Sequence, residues 1–305
     1  MWRTVIISSG ERLNIKDNWL IVYSQKGETK VPVDDLYSVV IENRSAMLSV
    51  SVLTTLTQAG THIIFCDANH LPTTISLPLN NHYRPYSVVK KQIEMSQVFR
   101  DCLWQKIVVQ KIKNQSLCLK YVGVETKRYK EIEDISLKVK VGDITNREAV
   151  AAKKYFPYLF GVTFRRSDDD ITNSALNYGY AIIRFSVAKT LASYGFNGAI
   201  GLHHISETNP FNLADDIMEP LRPIVDMWVD QECENLFETL TYHNRRDLID
   251  LPNQIICMNN KKMKIRYAID IYVKSLVSAI NKNKVELLEI PMLIPFDEFF
   301  EETND

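Results

Sequence analysis

Over the first eighty residues, apolar and polar positions alternate in short runs. WRTVIIS, RLNIKD and WLIVYSQ are rich in β-branched and aromatic residues and are broken by Ser-Gly, Asp-Asn and Lys-Gly. That is the signature of strands joined by turns. KVPV and LYSVVIEN continue the series. SVSVLTTLTQAG predicts a short helix, with Ser49 at its cap and Gly60 at its stop. THIIFCD predicts a buried strand. LPTTISLPL predicts an edge or end strand, because proline cannot donate to a ladder. Many short strands with turn signals predict a small β-sandwich.

LPLNNHYRPYS is polar and proline-bearing, and it predicts a linker. Beyond it the apolar spacing widens from about two residues to about 3.6. VVKKQIEMSQVFRDCLWQKIVVQKIKNQSLCLKYVG supports one or two long amphipathic helices, with Ile93, Val98, Leu103, Ile107 and Val108 at core positions. VETKRYKEIEDISLKVK keeps the helical pattern, and helices are expected to dominate to about residue 284. The expected fold class is α+β: residues 1–82 a β-rich domain, residues 83–305 an α-helical one with an acidic tail.

Length and composition fit this division. The chain has 305 residues, 46% of them hydrophobic, enough for one large or two ordinary cored domains. The start lacks the apolar core of a signal peptide. No run of eighteen apolar residues spans a membrane. The five cysteines are scattered and form no CxxC, which argues for a reducing cytoplasm and against a disulfide frame or zinc site. Charge changes the picture more. Lys and Arg total 36 against 37 Asp and Glu in the whole chain, but Arg84 to Arg166 holds 18 basic and 8 acidic residues. Such asymmetry suggests a polyanion partner; solvated helix faces are the alternative.

The chemistry concentrates in GLHHISETNPFNLADDIMEPLRP, Gly201 to Pro223. His203 and His204 follow an apolar lead-in. Asp215 and Asp216 fall four and three residues before Glu219, so on a helix both pairs share a face. Like charges there cost roughly 0.2–0.5 kcal/mol per pair. A cation between them would offset that cost, and imidazole with carboxylate oxygens suits Mn²⁺ or Mg²⁺. The bland alternative is a surface helix start with acids near its N-terminus. Pro220 would interrupt the helix and free the Asp216 carbonyl. Upstream, Glu148 sits early in a predicted helix, where Thr145-x-x-Glu148 also reads as a capping box. Asn173, Tyr178 and Tyr180 are polar positions on an otherwise apolar helix; tyrosines that bury their rings and bond their tips are the ordinary explanation.

Taken together, Glu148 in REAVAAKKYF, Arg165 and Arg166 before DDDITNSALNYGYAIIR, His204 in GLHH, and DDIMEPLRP resemble the CRISPR-associated integrase family, the metal-dependent DNA endonucleases of spacer acquisition. The compact form is similar to the members found in type II systems. The resemblance implies an N-terminal β-sandwich on the dimerisation and partner side, a helical catalytic domain and a homodimer. It further implies a heterohexamer in which a small ferredoxin-like adaptation subunit bridges two dimers, with other type II adaptation proteins as further candidate partners. Double-stranded DNA, both incoming spacer and CRISPR array, is the implied substrate. By motif the metal ligands are Glu148, His204 and Glu219, with Asp216 as an assisting acid and His203 structural. Lys153, Lys154, Arg165 and Arg166 are candidate phosphate contacts.

Two other readings stand beside this one: a metal-free DNA-binding scaffold of the same complex, and an unrelated metal-dependent hydrolase. The tail Pro295–Asp305, with Phe296, Phe299 and Phe300 among acids, is either a loose solubilising end or a docking element.

Overall fold

The computed structural model describes residues 2–9, 11–25, 27–77, 82 and 84–296. The chain divides into two compact units, Met1–Pro85 with Ala192–Gly195, and Tyr86–Leu191 with Phe196–Asp305. Part of the expected linker (78–81 and 83) lies outside the described residues.

The first unit holds two four-stranded sheets. One has the order β1 (Arg3–Ile7), β5 (Leu36–Ile41), β7 (His62–Cys66), β8 (Pro72–Ile75); the other runs β4 (Gly27–Pro32), β3 (Trp19–Ser24), β2 (Arg12–Lys16), β6 (Met47–Leu48). The β2–β3 hairpin turns on Asp17 and Asn18, both at positive φ, the conformation a two-residue turn needs to match strand twist. β5 pairs in parallel with both β1 and β7 and is buried at all six positions, as a central strand covered on both faces should be. Proline-bearing β8 takes the sheet edge. Ile7, Leu13, Leu20, Val22, Val39 and Ile63 from both sheets form one core, joined by Val52 and Leu56 of helix α1 (Val50–Gln58).

The second unit is helical, in agreement with the sequence pattern except at three places. The long amphipathic stretch is two helices, α2 (Pro85–Glu94) and α3 (Gln97–Tyr121), because Ser96 caps α3 by accepting from the Phe99 amide. The break shifts the helical phase, so Ile93 and Val98 are 59% and 70% exposed, while Leu103, Ile107 and Val108 are fully buried. Nor is α3 amphipathic: its second half is buried nearly all round, packed by helices α4 (Thr126–Ser136), α5 (Arg147–Phe160) and α8 (Arg222–Gln231). Second, a hairpin, β9 (Ile255–Met258) and β10 (Lys261–Lys264), turns on Asn259 and Asn260 before helix α10 (Ile265–Lys282). Third, the segment leading into the tail is docked, and the tail's Phe296 with it. Met292 pairs with Cys257 through the backbone, and Leu293, Ile294 and Phe296 are buried; Phe299 and Phe300 lie outside the described residues.

Helix α6 (Ile171–Ser193) packs tightly against α8. A Cβ at Gly179 would collide with Val225, so glycine is required there for close approach. Helix α7 (Asn212–Met218) runs into a 3₁₀ turn, Glu219–Leu221, before α8 begins. Helix α9 (Tyr242–Asp250) follows.

Candidate active site

Glu148 is delivered by an unusual helix start. Asp143 and Asn146 both have positive φ. The Asp143 carboxylate accepts from the Arg147 and Glu148 amides at 2.8 and 2.9 Å, and Asn146 accepts from Ala149 at 3.3 Å. The Thr145 capping box is therefore not formed: the Thr145 hydroxyl takes the Arg147 side chain instead. With the first-turn amides satisfied by others, the Glu148 carboxylate is free to face α3. There Lys111 donates to it at 2.5 Å.

Glu219 reaches the same ammonium from the other side. Lys111 ion-pairs with Glu219 Oε2, and Arg222 Nε donates to Glu219 Oε1 at 2.8 Å. The 3₁₀ turn that aims Glu219 is held by Asn114, one turn beyond Lys111. Asn114 is fully buried; its amide nitrogen donates to the Pro220 and Pro291 carbonyls, and its oxygen accepts from the Leu293 amide. One asparagine thus pins the turn and the docked segment before the tail to α3. Burial works to raise the Glu219 pKa, but Arg222 and Lys111 outweigh it and hold the carboxyl at about 2. Burial likewise disfavours the charged Lys111, and Glu219 and Glu148 together keep its pKa above the ordinary value.

His204 is set by a third acid. Asp216, fully buried, accepts from the Leu202, His203 and His204 amides at 2.5, 3.1 and 3.1 Å, and meets His204 Nδ1 at 2.7 Å. An ionised carboxylate only accepts, so the proton belongs on Nδ1 and Nε2 keeps its lone pair. The hydrogen bond to Asp216 raises the His204 pKa against the opposing effect of burial. A Cβ at Gly201 would lie 2.8 Å from Asp216 Oδ2 and closer still to the His204 carbonyl, so the loop closes only with glycine. His203 stacks on Trp104 with ring centres 4.3 Å apart, and Trp104 turns its edge to His204 at 5.9 Å.

The three acids of the Asp215–Glu219 run do not share one cation, although their spacing suggests that arrangement. Asp215 pairs with Arg184 at 2.7 Å and accepts from Asn209. Asp216 binds the His204 loop, and Glu219 faces Lys111 and Arg222. Glu148 and Glu219 are brought together on Lys111; His204 is held to Asp216 and lies within the field of Glu219. Among the described residues no group of three or more His, Cys, Asp or Glu converges as a closed metal site, and an ammonium stands between the two glutamates. The donor set nonetheless fits Mg²⁺ or Mn²⁺: two carboxylates bracket a cation position, and an imidazole carries its second nitrogen on a carboxylate, the usual support for a histidine ligand. Lys111, Asn114, Trp104 and Arg222 were not singled out by the sequence. Lys111 had a signal, since it falls on the same helical stripe as Trp104, Val108, Gln115 and Cys118.

The four candidate phosphate contacts separate. Lys153 and Arg165 are exposed. Lys154 pairs with Glu131 at 2.7 Å. Arg166 donates to Asn173 and Asn177 and lies over the Tyr180 ring. Tyr180 and Tyr155 both donate to the buried Asp226 carboxylate. A cavity of about 170 Å³ opens beside Glu219, lined by Lys111, Gln115, Phe156, Arg166, Tyr180 and Arg222 among others.

A β-rich unit of two sheets and a helical unit carrying a carboxylate–histidine site define the class of CRISPR-associated endonucleases. The family described as CRISPR associated protein Cas1 matches residues 4–236. The chain is 36% identical over 301 residues to the CRISPR-associated endonuclease Cas1 of Neisseria meningitidis serogroup C (strain 8013), covering 98% of each. It is 28% identical over 309 residues, 93% of each, to the CRISPR-associated endonuclease Cas1 2 of Saccharolobus solfataricus. In fold it is similar to a Cas1 protein from Thermotoga maritima (TM-score 0.73, 17% identity, 92% of this chain and 97% of that one) and to a casposase bound to integration product (0.74, 19%, 99% and 96%). The chain belongs to the Cas1 family, the endonucleases and integrases of spacer acquisition, and the Neisseria likeness fits the type II form. Among the described residues no helix is long and apolar enough to cross a membrane.

Proposed function

We propose that this protein inserts short DNA segments into a CRISPR array by metal-dependent transesterification, with Glu148, His204 and Glu219 as ligands for Mg²⁺ or Mn²⁺. The observation that carries this reading is the convergence of two glutamates, from α5 and from the turn before α8, on one cation position. When bound, a divalent ion there would supply Lewis-acid stabilisation of the charge that gathers on a phosphoryl oxygen. Asp216 fixes the His204 ring and, in the neutral imidazole, holds the proton on Nδ1 so that Nε2 carries the lone pair. Arg222 holds Glu219 ionised. In the reaction the 3′-hydroxyl of incoming DNA attacks an array phosphorus. A new P–O bond forms and the P–O3′ bond of the array strand breaks. The proton lost by the attacking hydroxyl balances the one gained by the leaving oxygen. With water as the nucleophile the same site hydrolyses the strand.

The substrate is double-stranded DNA, and the working assembly is a homodimer joined by a small ferredoxin-like subunit into a heterohexamer. A chain of a Cas6-RT-Cas1–Cas2 complex shares this fold (TM-score 0.74, 18% identity, covering 94% of this chain and 36% of that one), in keeping with a partner of that kind. Closed two-fold pairing would supply the second active copy that joining two DNA ends requires. One observation favours a metal-free scaffold instead: the Lys111 ammonium already bridges the two glutamates, with Arg222 as a second cation on Glu219.

Cleavage and strand transfer on branched and duplex DNA, with and without Mn²⁺, separate these readings. Glu148→Ala, His204→Ala and Glu219→Ala should each lower both activities by about 100-fold or more, as loss of a dominant electrostatic element does. Activity that persists in all three variants, or that ignores the metal, excludes the proposal. Loss in His203→Ala with full activity in His204→Ala moves the ligand to the other imidazole.

A further inference from the structure

Lys111 is in the wrong place for an ordinary structural lysine. It is 8% exposed, on the central helix, and its ammonium touches both glutamates proposed to bind the metal. Its hold on the two is unequal. It donates to Glu148 Oε1 in good geometry, whereas its contact with Glu219 Oε2 is a close ion pair outside good hydrogen-bond geometry. One turn further along α3, Gln115 is 2% exposed and its Oε1 has no hydrogen-bond partner. Gln115, Lys111, Arg166 and Arg222 line the same cavity of about 170 Å³ beside Glu219.

We infer that Lys111 is a displaceable counter-ion: its ammonium holds the divalent-cation position while the site is empty of metal, and swings along α3 toward Gln115 when metal binds. This rests on the metal-dependent reading above. Electrostatics favours it. With Arg222 already on Glu219 Oε1, a divalent ion on the two carboxylates leaves no negative charge for Lys111, and an ammonium cannot keep the same oxygens without facing that ion at contact distance. The lysine stem is long and flexible enough to carry the charge one helical turn. There Gln115 Oε1 offers an acceptor, and the cavity already presents the guanidiniums of Arg166 and Arg222. A DNA phosphate entering that cavity would then find the Lys111 ammonium released from the glutamates, beside the two guanidiniums. Metal loading and phosphate binding would then favour each other through one side chain, each stabilising the displaced position of Lys111. Without metal, the same lysine screens the buried Glu219 and the partly exposed Glu148 from each other.

The test is Mn²⁺ binding to the full-length protein, read from the electron paramagnetic resonance signal of the free ion, with and without a duplex oligonucleotide. Lys111→Met, which keeps the stem and removes the charge, should bind Mn²⁺ tighter than wild type without DNA, on the order of 10-fold. Duplex should tighten Mn²⁺ binding in wild type and leave the variant nearly unchanged. Lys111→Met should also melt lower than wild type without metal and gain more in melting temperature on adding Mn²⁺. Lys111→Gln, which retains a donor, provides the same measurement if the methionine variant does not fold. Equal or weaker Mn²⁺ affinity in the charge-free variants overturns the inference. Glu148→Ala separates the two levels. If it abolishes Mn²⁺ binding while Lys111→Met leaves affinity unchanged, only the role of Lys111 fails. If Glu148→Ala leaves Mn²⁺ binding intact, or neither wild type nor the lysine variants bind Mn²⁺, the metal reading fails and this inference with it.

Discussion

Glu219 and Asp226 lie seven residues apart on one continuous run, and both are buried, 4% and 1% exposed. Their environments push them in opposite directions. Glu219 faces Lys111 and Arg222, which overcome burial and hold it at about 2. Asp226 faces two tyrosine hydroxyls. Burial dominates there, and the Tyr180 and Tyr155 hydrogen bonds offset it only in part, leaving the carboxyl at about 6. A hydroxyl satisfies an acceptor, whereas a cation supplies opposite charge as well. The first carboxylate is always ionised at neutral pH, as a metal ligand must be. The second sits near its titration point and serves to bind α5, α6 and α8 to one another.

The largest expected effect comes from removing the charge at the cationic end. Glu219→Gln leaves Arg222 and Lys111 buried with one partner withdrawn. Breaking a buried pair in this way costs about 3–5 kcal/mol, and a large drop in denaturation midpoint should show it. Glu148→Gln should cost less, because the Glu148 side chain is 25% exposed against 5% for Glu219, and water can solvate what is left. Equal losses in the two variants would contradict the burial ranking.

A smaller effect of opposite sign is expected at Asp226. Its carboxyl is raised from the ordinary value of 3.8 to about 6, so the folded protein holds that proton more tightly than the unfolded chain. Between those two pH values the unfolded state has released the proton and the folded state has not. Stability therefore falls as pH rises through the window and stays reduced above it. The deficit is about 2–3 kcal/mol for a shift of this size. Asp226→Asn keeps the shape and cannot ionise. It should lose this pH slope, and become less destabilised relative to wild type, or more stable, as pH rises from 4 to 7. Asp230, also raised to about 6 by burial, titrates in the same window, so the informative quantity is the difference between variant and wild type. A difference that does not change with pH would show that the hydroxyls hold Asp226 as firmly as cations hold Glu219.

The same contrast explains what could be read from the sequence. The strand series and the change to helical spacing report backbone burial, which repeats at every second or every third to fourth residue. The Pro220 break is likewise local: α7 ends at Met218 and α8 begins at Arg222. Glu148, His204 and Glu219 were found through motif resemblance. What holds them was not, because it depends on contacts between residues far apart in sequence. Lys111 reaches Glu219 from more than a hundred positions away, and Asn114 ties Pro220 to Pro291. In the sequence, Lys111 stands among Lys106, Lys113 and Lys120 and looks like one more solvated charge on a basic helix. Only its place on the stripe with Trp104, Val108 and Cys118 distinguishes it. Ile93 and Val98 failed for a related reason. One apolar spacing assigns their core positions across Met95–Ser96, whether the stretch holds one helix or two, and the cap at Ser96 resets that phase.

The smallest effect carries the comparison to the surface, where cations stand in water. Lys153 and Arg165 are exposed, whereas Lys154 is engaged with Glu131 and Arg166 with Asn173 and Asn177. Lys154 is already partly neutralised by its carboxylate, and Arg166, though its amide partners carry no charge, must leave them to reach a phosphate, so this pair releases fewer counterions from DNA than cations standing in water. Each phosphate neutralised adds about 0.9 to the slope of log affinity against log salt on duplex DNA. If the basic region contacts phosphates, Lys153→Ala with Arg165→Ala should reduce that slope by about 2, and Lys154→Ala with Arg166→Ala by less. Affinity should fall by similar factors on unrelated sequences, since phosphate contacts carry no base information. Neither pair should change the melting temperature as Glu219→Gln does, because surface charges exchange one solvated state for another. Titrating duplex binding from low to high salt in both double variants measures the two slopes. Should Lys154 and Arg166 carry the larger share, their present partners are resting positions that DNA displaces, and the buried glutamates would not be the only carboxylates here to surrender a cation to the substrate.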